Sequence, residues 1–245
     1  RKKSRIRSIL CSMTNLTAKQ DNDEEYEGNF LYLLFSMIML VLVSSTLAHM
    51  SESLAHLIWE LMIMGTLIIG VWTLAHDKSW FYTGIVLSAI IVVLVIVAEV
   101  TKLHWISYLI ILCWCLFYMM AFVFTTKAVL SSREVTANSI IGAICIFMMA
   151  AYLWGMAYNV IAMVDPTAFK GIDPAEPMSG KFTQLNYFSF VTITTLGYGD
   201  ISPVLPIAQS LAVLEAMFGQ FFIAIFVAGM VGIHVANKLD ARRSG

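Results

Sequence analysis

The sequence predicts an all-α integral membrane protein with six transmembrane helices and one short re-entrant helix. Three observations predict this class. The 245-residue chain is 59% hydrophobic and only 13% charged, whereas soluble domains carry about 25% charged residues. Six apolar stretches are long enough to cross a bilayer core, which takes about 20 residues per helix. The basic residues lie mostly on one side of these stretches, and the net charge of −1 gives no indication of nucleic-acid binding.

The spans are defined by apolar stretches that are separated by short polar connections. They are predicted at Phe30–Ala48, Leu54–Ala75, Trp80–Ala98, Leu103–Thr126, Ser139–Val164 and Ile207–Asn237. The sixth stretch is longer than a bilayer core, so its end is expected to project into the cytoplasm. All five prolines lie between the fifth and sixth spans, which indicates irregular backbone there and uninterrupted helices in the first four spans.

Orientation follows from the distribution of the basic residues. With a cytoplasmic N-terminus, twelve of the 15 Lys and Arg residues lie on the cytoplasmic side, and the other three are Lys102, Lys170 and Lys181. Cytoplasmic loops carry such an excess of Lys and Arg. Both termini are therefore expected in the cytoplasm, with Asp165–Pro206 on the outer side. The expected location is the plasma membrane, which is the inner membrane in a bacterium.

The outer segment has a polar part and an apolar part. Asp165–Lys181 is rich in Pro, Gly and acidic residues and is expected to be a loop. Phe182–Thr195 is apolar but too short to span, which predicts a re-entrant helix. Irregular backbone at membrane depth is tolerated only where protein surrounds it or where it lines a water-filled cavity. Other parts of the protein must therefore surround this segment.

The short helix is followed by a motif that carries the chemistry, Thr194-Thr195-Leu196-Gly197-Tyr198-Gly199-Asp200. This motif resembles the pore signature of potassium channels, and the resemblance extends over roughly Ser139–Asn237. The six-span plan as a whole resembles the larger superfamily of tetrameric cation channels.

A dehydrated cation needs close oxygen ligands, which rings of backbone carbonyls can supply. For successive carbonyls to face one axis, alternate residues must adopt backbone angles that favour glycine, as at Gly197 and Gly199. The resemblance implies a selectivity filter that binds K⁺ at Thr195, Leu196, Gly197 and Tyr198. In the family pattern Thr195 adds its hydroxyl and Tyr198 packs outward, while Leu196 replaces the more common Val. The filter segment of a single chain supplies too few oxygens to surround an ion, so a homotetramer is expected. No cofactor is expected besides the K⁺ ions in the filter.

Residues around the filter are predicted to support it or to move. The Tyr187 hydroxyl can hydrogen-bond Asp200 behind the filter, or it can instead lie in water. Gly219 matches the glycine at which many family members bend, although a helix glycine can also permit close packing. Glu215 lies in an apolar stretch, where a carboxylate is costly unless it is protonated or partnered, and bracing of the short helix is one explanation. His234, near the cytoplasmic end of the last span, can be a pH-sensitive group, but it is interpreted as a solvated residue near a helix end.

The first four spans resemble a voltage-sensor unit without its charges. In voltage-gated relatives the fourth span carries Arg or Lys at every third position, whereas Leu103–Thr126 contains neither. Steep voltage gating is therefore not expected, and the roles of Glu60 and Glu99 stay open. The predicted division is a cytoplasmic segment 1–29, a four-helix unit 30–126, a cytoplasmic linker 127–138, a pore domain 139–237 and a cytoplasmic tail 238–245.

The predicted function is passive, selective potassium conduction, not catalysis. A weakly selective cation channel is one alternative, and a secondary transporter or a membrane scaffold is another. Expected partners are further copies of this chain and membrane lipids, with no nucleic acid. The gating stimulus and a cytoplasmic regulatory domain or subunit outside this chain stay open. The sequence also leaves open whether the four-helix unit packs on its own pore domain or on that of a neighbour.

Overall fold

The computed structural model is almost entirely helical, and it describes residues 30–47, 65–66, 68–72, 78–101, 104–131, 135–173 and 178–243. Among these residues, four helices are long and apolar enough to cross a membrane, Ser79–Ala98, Tyr108–Leu130, Ala137–Val164 and Pro206–Asn237, and Phe30–Val43 is a shorter apolar helix. The chain is therefore a membrane protein. The predicted segment 1–29 and Glu60 lie outside the described residues, as does most of the second predicted span.

The described elements follow one another as helices with one small antiparallel ribbon. They are α1 (Phe30–Leu47), α2 (Lys78–Thr101), α3 (His104–Ser131), α4 (Ala137–Val164), β1 (Phe169–Lys170), α5 (Met178–Ile193), β2 (Ser202–Pro203), α6 (Pro206–Phe221), a π-helical turn (Phe222–Val227) and α7 (Ala228–Arg243). Residues 65–66 and 68–72, in the second predicted span, are also helical.

The connection between α3 and α4 is shorter than the predicted linker 127–138. Helix α3 continues to Ser131 because Val129 is still buried, at 5% exposure. Helix α4 begins at Ala137, after a capping box in which Thr136 and Ser139 each accept a hydrogen bond from the other's backbone N–H. The hydropathy of the sequence marks the apolar stretch of a helix, whereas helical hydrogen bonding continues past it.

The re-entrant helix α5 also differs from its predicted bounds. It runs over Met178–Ile193, so it begins four residues before Phe182 and ends two residues before Thr195. Its first turn includes the polar residues Ser179 and Lys181, which an apolar stretch does not reveal. The last two residues of the predicted helix, Thr194 and Thr195, form a turn instead.

Helix α4 is the centre of the packing, and it contacts α1, α3, α5 and α6 of the same chain. Small residues allow this approach: a Cβ at Gly142 would lie 2.6 Å from Val129 Cγ2 and 3.0 Å from Phe30 Cδ2. The Tyr118 and Tyr152 rings stack at 5.3 Å between α3 and α4. Helices α1 and α3 therefore pack on α4 of the same chain.

A short antiparallel ribbon connects the loop before α5 to the segment after residues 194–200. Phe169 pairs with Pro203 and Lys170 pairs with Ser202. At Gly171 the backbone has φ +92°, and a Cβ there would overlap the Asp200 carbonyl oxygen. Glycine is thus required at this position both for its backbone angle and for the close approach.

Candidate ion-binding site

The filter motif follows directly from α5, and its backbone alternates in handedness. Three of its residues have positive φ, namely Thr195 at 59°, Gly197 at 59° and Gly199 at 79°, and they are separated by Leu196 and Tyr198. Among the described residues, nothing lies within 4 Å of a Cβ placed at Gly197 or Gly199. Glycine is therefore needed here for backbone conformation rather than for space.

The last turn of α5 holds the first part of the filter by backbone hydrogen bonds. The Val191 carbonyl accepts from the N–H of Leu196 at 2.9 Å and from that of Gly197 at 3.3 Å, and the Thr192 carbonyl accepts from Thr195 N–H at 2.9 Å. The Val191 and Thr192 carbonyls of α5 therefore help to fix the backbone of residues 195–197.

At the inner end of the filter, α6 contacts Thr195. The Gln220 amide donates to Thr195 Oγ1 at 3.0 Å, and the Thr195 hydroxyl donates to the Thr194 carbonyl at 2.7 Å. Sequence reasoning missed Gln220. An amide in the middle of an apolar span, immediately after Gly219, was a signal that could have found it.

At the outer end, the structure brings Tyr187 and Asp200 together. The Tyr187 hydroxyl donates to Asp200 Oδ2 at 2.8 Å. Partial burial and this hydrogen bond to a carboxylate raise the pKa of the Tyr187 phenol above its ordinary value. The position where some potassium channels carry an acid is Val191, which is buried here.

Behind α5 lies a buried carboxyl group, that of Glu215 on α6, with 0% exposure. Its Oε2 accepts a hydrogen bond of 2.6 Å from the Tyr158 hydroxyl on α4, and its Oε1 contacts the Ser189 hydroxyl on α5. The Ser189 hydroxyl also donates to the Ala151 carbonyl at 2.6 Å. Polar groups from three helices thus meet in one buried cluster, in which neither Ser189 nor Tyr158 was singled out from sequence.

The structure places Gly219 against the end of α5. A Cβ there would overlap the Ile193 carbonyl oxygen, so close packing accounts for this glycine. Just beyond Gly219, the helix departs from regular α-helical geometry in the π-helical turn Phe222–Val227. Farther along, His234 is half-buried and its Nδ1 lies 2.6 Å from the Val135 carbonyl oxygen. His234 is thus held against the start of α4, which corrects its interpretation as a solvated residue.

Comparisons with known proteins show similarity to ion channels. The family described as "Ion channel" matches residues 149–234, from α4 through the filter to α7. The rice (Oryza sativa subsp. japonica) "Two pore potassium channel c" is 30% identical over 89 residues, which cover 34% of this chain and 19% of the relative. No solved structure matches the chain significantly.

Two further relatives also match only part of the chain. "Inward rectifier potassium channel Kirbac3.1" of Paramagnetospirillum magnetotacticum is 32% identical over 80 residues, 33% of this chain and 24% of the relative. The Arabidopsis thaliana "Two-pore potassium channel 5" is 44% identical over 45 residues, 18% of this chain and 11% of the relative. The matched segments thus span less than a quarter of each of these relatives. The matched family and these relatives are ion channels rather than enzymes, and residues 149–234 are similar to the ion-channel family.

Proposed function

We propose that this protein is a potassium-selective channel that conducts K⁺ passively through a tetrameric pore. The observation that carries the proposal is the alternation of positive φ at Thr195, Gly197 and Gly199, directly after a re-entrant helix and before an apolar span. Such a backbone can direct successive carbonyl oxygens to one side, as a dehydrated cation requires. The similarity to proteins named potassium channels supports K⁺ as the ion.

In the proposed pore, K⁺ binds at Thr195, Leu196, Gly197 and Tyr198, with each chain contributing one strand of the filter. Four chains around one axis complete the oxygen rings. The exposure of the filter and of α6 in a single chain supports this assembly: Tyr198 is 66% exposed and Val213 is 60% exposed. Large apolar surfaces of this kind mark contacts with further protein or with lipid.

The proposed channel lies in the plasma membrane with both termini in the cytoplasm. The basic residues of the sequence support this orientation. We propose no steep voltage gating, because α3 carries no Arg or Lys before Lys127. Tyr187 and Asp200 are proposed to brace the filter through their hydrogen bond, and Gly219 to permit the inner helix to approach α5 and to bend.

The test is an ion-flux measurement on the purified protein in liposomes under opposed K⁺ and Na⁺ gradients. We expect the membrane potential to follow the K⁺ gradient, and the detergent-solubilised protein to have the mass of a tetramer. Tyr198→Asp should relax selectivity by disturbing the carbonyl rings, whereas Tyr82→Phe on the exposed side of α2 should leave it unchanged.

A weakly selective cation channel is the second candidate, since the family match is to ion channels in general. Equal permeability to Na⁺ and K⁺ in the unmodified protein would decide for this candidate. A conducting monomer or dimer would contradict the proposed pore altogether.

A further inference from the structure

We propose that Glu215 is a positioning residue for the filter, which connects α5 to α4 and α6 through the two oxygens of its carboxyl group. This inference rests on the proposed function, because it assigns a role within that filter. Glu215 does not touch the ion path in this chain: it is completely buried, on the side of α5 that faces α4 and α6.

The environment of Glu215 is built to receive both carboxyl oxygens. One oxygen faces the Tyr158 hydroxyl at 2.6 Å and the other contacts the Ser189 hydroxyl. The two donors belong to different helices, and Ser189 is itself completely buried. A buried polar group without partners is costly, so the carboxyl group favours one relative position of the three helices.

The number of available protons indicates the form of the carboxyl group. Ser189 has a single hydroxyl proton, yet both the Ala151 carbonyl and the Glu215 carboxyl group lie within hydrogen-bond distance of its oxygen. A neutral Glu215 resolves this: its own O–H donates to Ser189 Oγ, Ser189 donates to Ala151, and Tyr158 donates to Glu215. Every oxygen then has a proton to share, and no charge is buried in the membrane.

The cluster reaches the filter through a short path in α5. Ser189 lies two residues before Val191, whose carbonyl holds the N–H groups of Leu196 and Gly197. Val191 itself offers no polar side chain to a partner behind the filter. The inner helix therefore supplies, through Glu215, the polar support that the side chain at position 191 lacks.

The proposal is tested with variants that separate the shape of the side chain from its hydrogen bonds. Glu215→Gln keeps one acceptor for Tyr158 and one N–H donor for Ser189, whereas Glu215→Leu keeps neither. Ser189→Ala and Tyr158→Phe remove one hydroxyl each and cause little change in volume. Ser88→Ala and Tyr82→Phe on α2 are the matched controls. The two readouts are the K⁺/Na⁺ permeability ratio in liposomes and the temperature of tetramer dissociation in KCl and in NaCl.

We expect Glu215→Leu to lower the permeability ratio about tenfold, the scale set by losing strong buried hydrogen bonds. Ser189→Ala and Tyr158→Phe should lower it about threefold each, and Glu215→Gln should stay within about twofold of the unmodified protein. Ions that bind the filter of the folded tetramer stabilise it. In the unmodified protein the temperature of tetramer dissociation should therefore differ between KCl and NaCl, and the variants that lose selectivity should show a smaller difference.

The inference is overturned if the Ser189→Ala and Tyr158→Phe tetramers keep the unmodified ratio, even where Glu215→Leu does not assemble. An equal loss of stability in both salts with unchanged selectivity would show a purely structural role and would also overturn it. If Glu215→Gln lowers the K⁺/Na⁺ permeability ratio as much as Glu215→Leu does, the Glu215 carboxyl group is not neutral as proposed. An unmodified protein that does not distinguish K⁺ from Na⁺ refutes the proposed function instead, which keeps the two failures distinct.

Discussion

Thr195 occupies a backbone conformation that few residues with a Cβ adopt. Its φ of 59° is in the left-handed region, and such positions cost about 1–3 kcal/mol unless the surroundings enforce them. Three contacts do so here: the Thr192 carbonyl accepts from its N–H, its hydroxyl donates to Thr194, and Gln220 donates to that hydroxyl. The end of the proposed filter at Thr195 is therefore held in part by a side chain of α6.

Gln220→Leu tests this support, because leucine has a similar volume without the amide. We expect a K⁺/Na⁺ permeability ratio about fivefold lower, the scale of one lost hydrogen bond of about 1 kcal/mol. In a Thr195→Val background, which lacks the hydroxyl, the same substitution should change the ratio little further. Additive effects of the two substitutions would show that the residues are not coupled.

The bond between Tyr187 and Asp200 makes a second residue-scale prediction. Tyr187→Phe and Asp200→Asn should each alter the open lifetime of the filter in single-channel records, and the double variant should match the stronger single variant. The phenol pKa is raised, so the bond is complete below the ordinary tyrosine value of about 10. It is lost only as the pH rises through the raised value.

Single-channel records at alkaline pH therefore distinguish loss of the Tyr187–Asp200 hydrogen bond from other causes of an altered open lifetime. As the Tyr187 phenol ionises, the open lifetime of the unmodified channel should approach that of Tyr187→Phe. The variant has no phenol at this position, so its open lifetime should not change for this reason. An identical alkaline response in both proteins would contradict the assignment.

Among the helices, α5 and α6 approach so closely that only glycine fits at their contact. Gly219→Ala would bring a methyl group onto the Ile193 carbonyl oxygen, which is backbone and cannot rotate away. We expect this variant to lose most of its tetramer and its K⁺ flux, measured by size-exclusion chromatography and liposome flux. Gly229→Ala is the matched control in the same span, because no atom in the part of the chain that the structure describes lies within 4 Å of a Cβ placed there. Normal assembly of Gly219→Ala would mean that this contact is loose in the membrane.

How far an element could be predicted depended on whether its signal was local. Apolar length predicted α2, α3, α4 and the long last span, and the two glycines of the filter predicted its special backbone angles. The left-handed angle at Thr195 had no such signal, since threonine rarely adopts it. The π-helical turn Phe222–Val227 was likewise missed, because its residues are as apolar as those of a regular helix.

Long-range pairings were harder to predict than elements. The partners of Glu215 lie 57 and 26 positions away in the chain, and no local pattern connects a Tyr on α4 with a Ser on α5. The cost of an intramembrane carboxyl group did predict that partners exist. Their identity required the packing of α4, which brings Tyr158 and Ser189 to the same buried point.

For the whole molecule, the charge distribution predicts a channel that voltage hardly gates. Moving one elementary charge across the membrane is worth about 2.3 kcal/mol per 100 mV, and steep gating uses about 3–4 charges per subunit. The one Lys of α3, Lys127, lies 5.5 Å from the Trp80 ring centroid, a contact that favours a fixed position. In symmetric K⁺ we expect a conductance that changes only gradually over about ±100 mV. A steep sigmoid would show that gating charges lie elsewhere in the chain, and Lys127→Gln should leave the curve unchanged.

Because Phe30, Val129 and Gly142 meet within a single chain, a newly inserted subunit can pack its peripheral and pore helices before it meets another copy. We therefore expect the proposed tetramer to assemble from protomers whose helices are already packed, through the exposed face of α6. The proposed filter would be completed last, since its oxygen rings need four chains. A defect in the packing of α1 or α3 is accordingly expected to act on the single protomer before assembly.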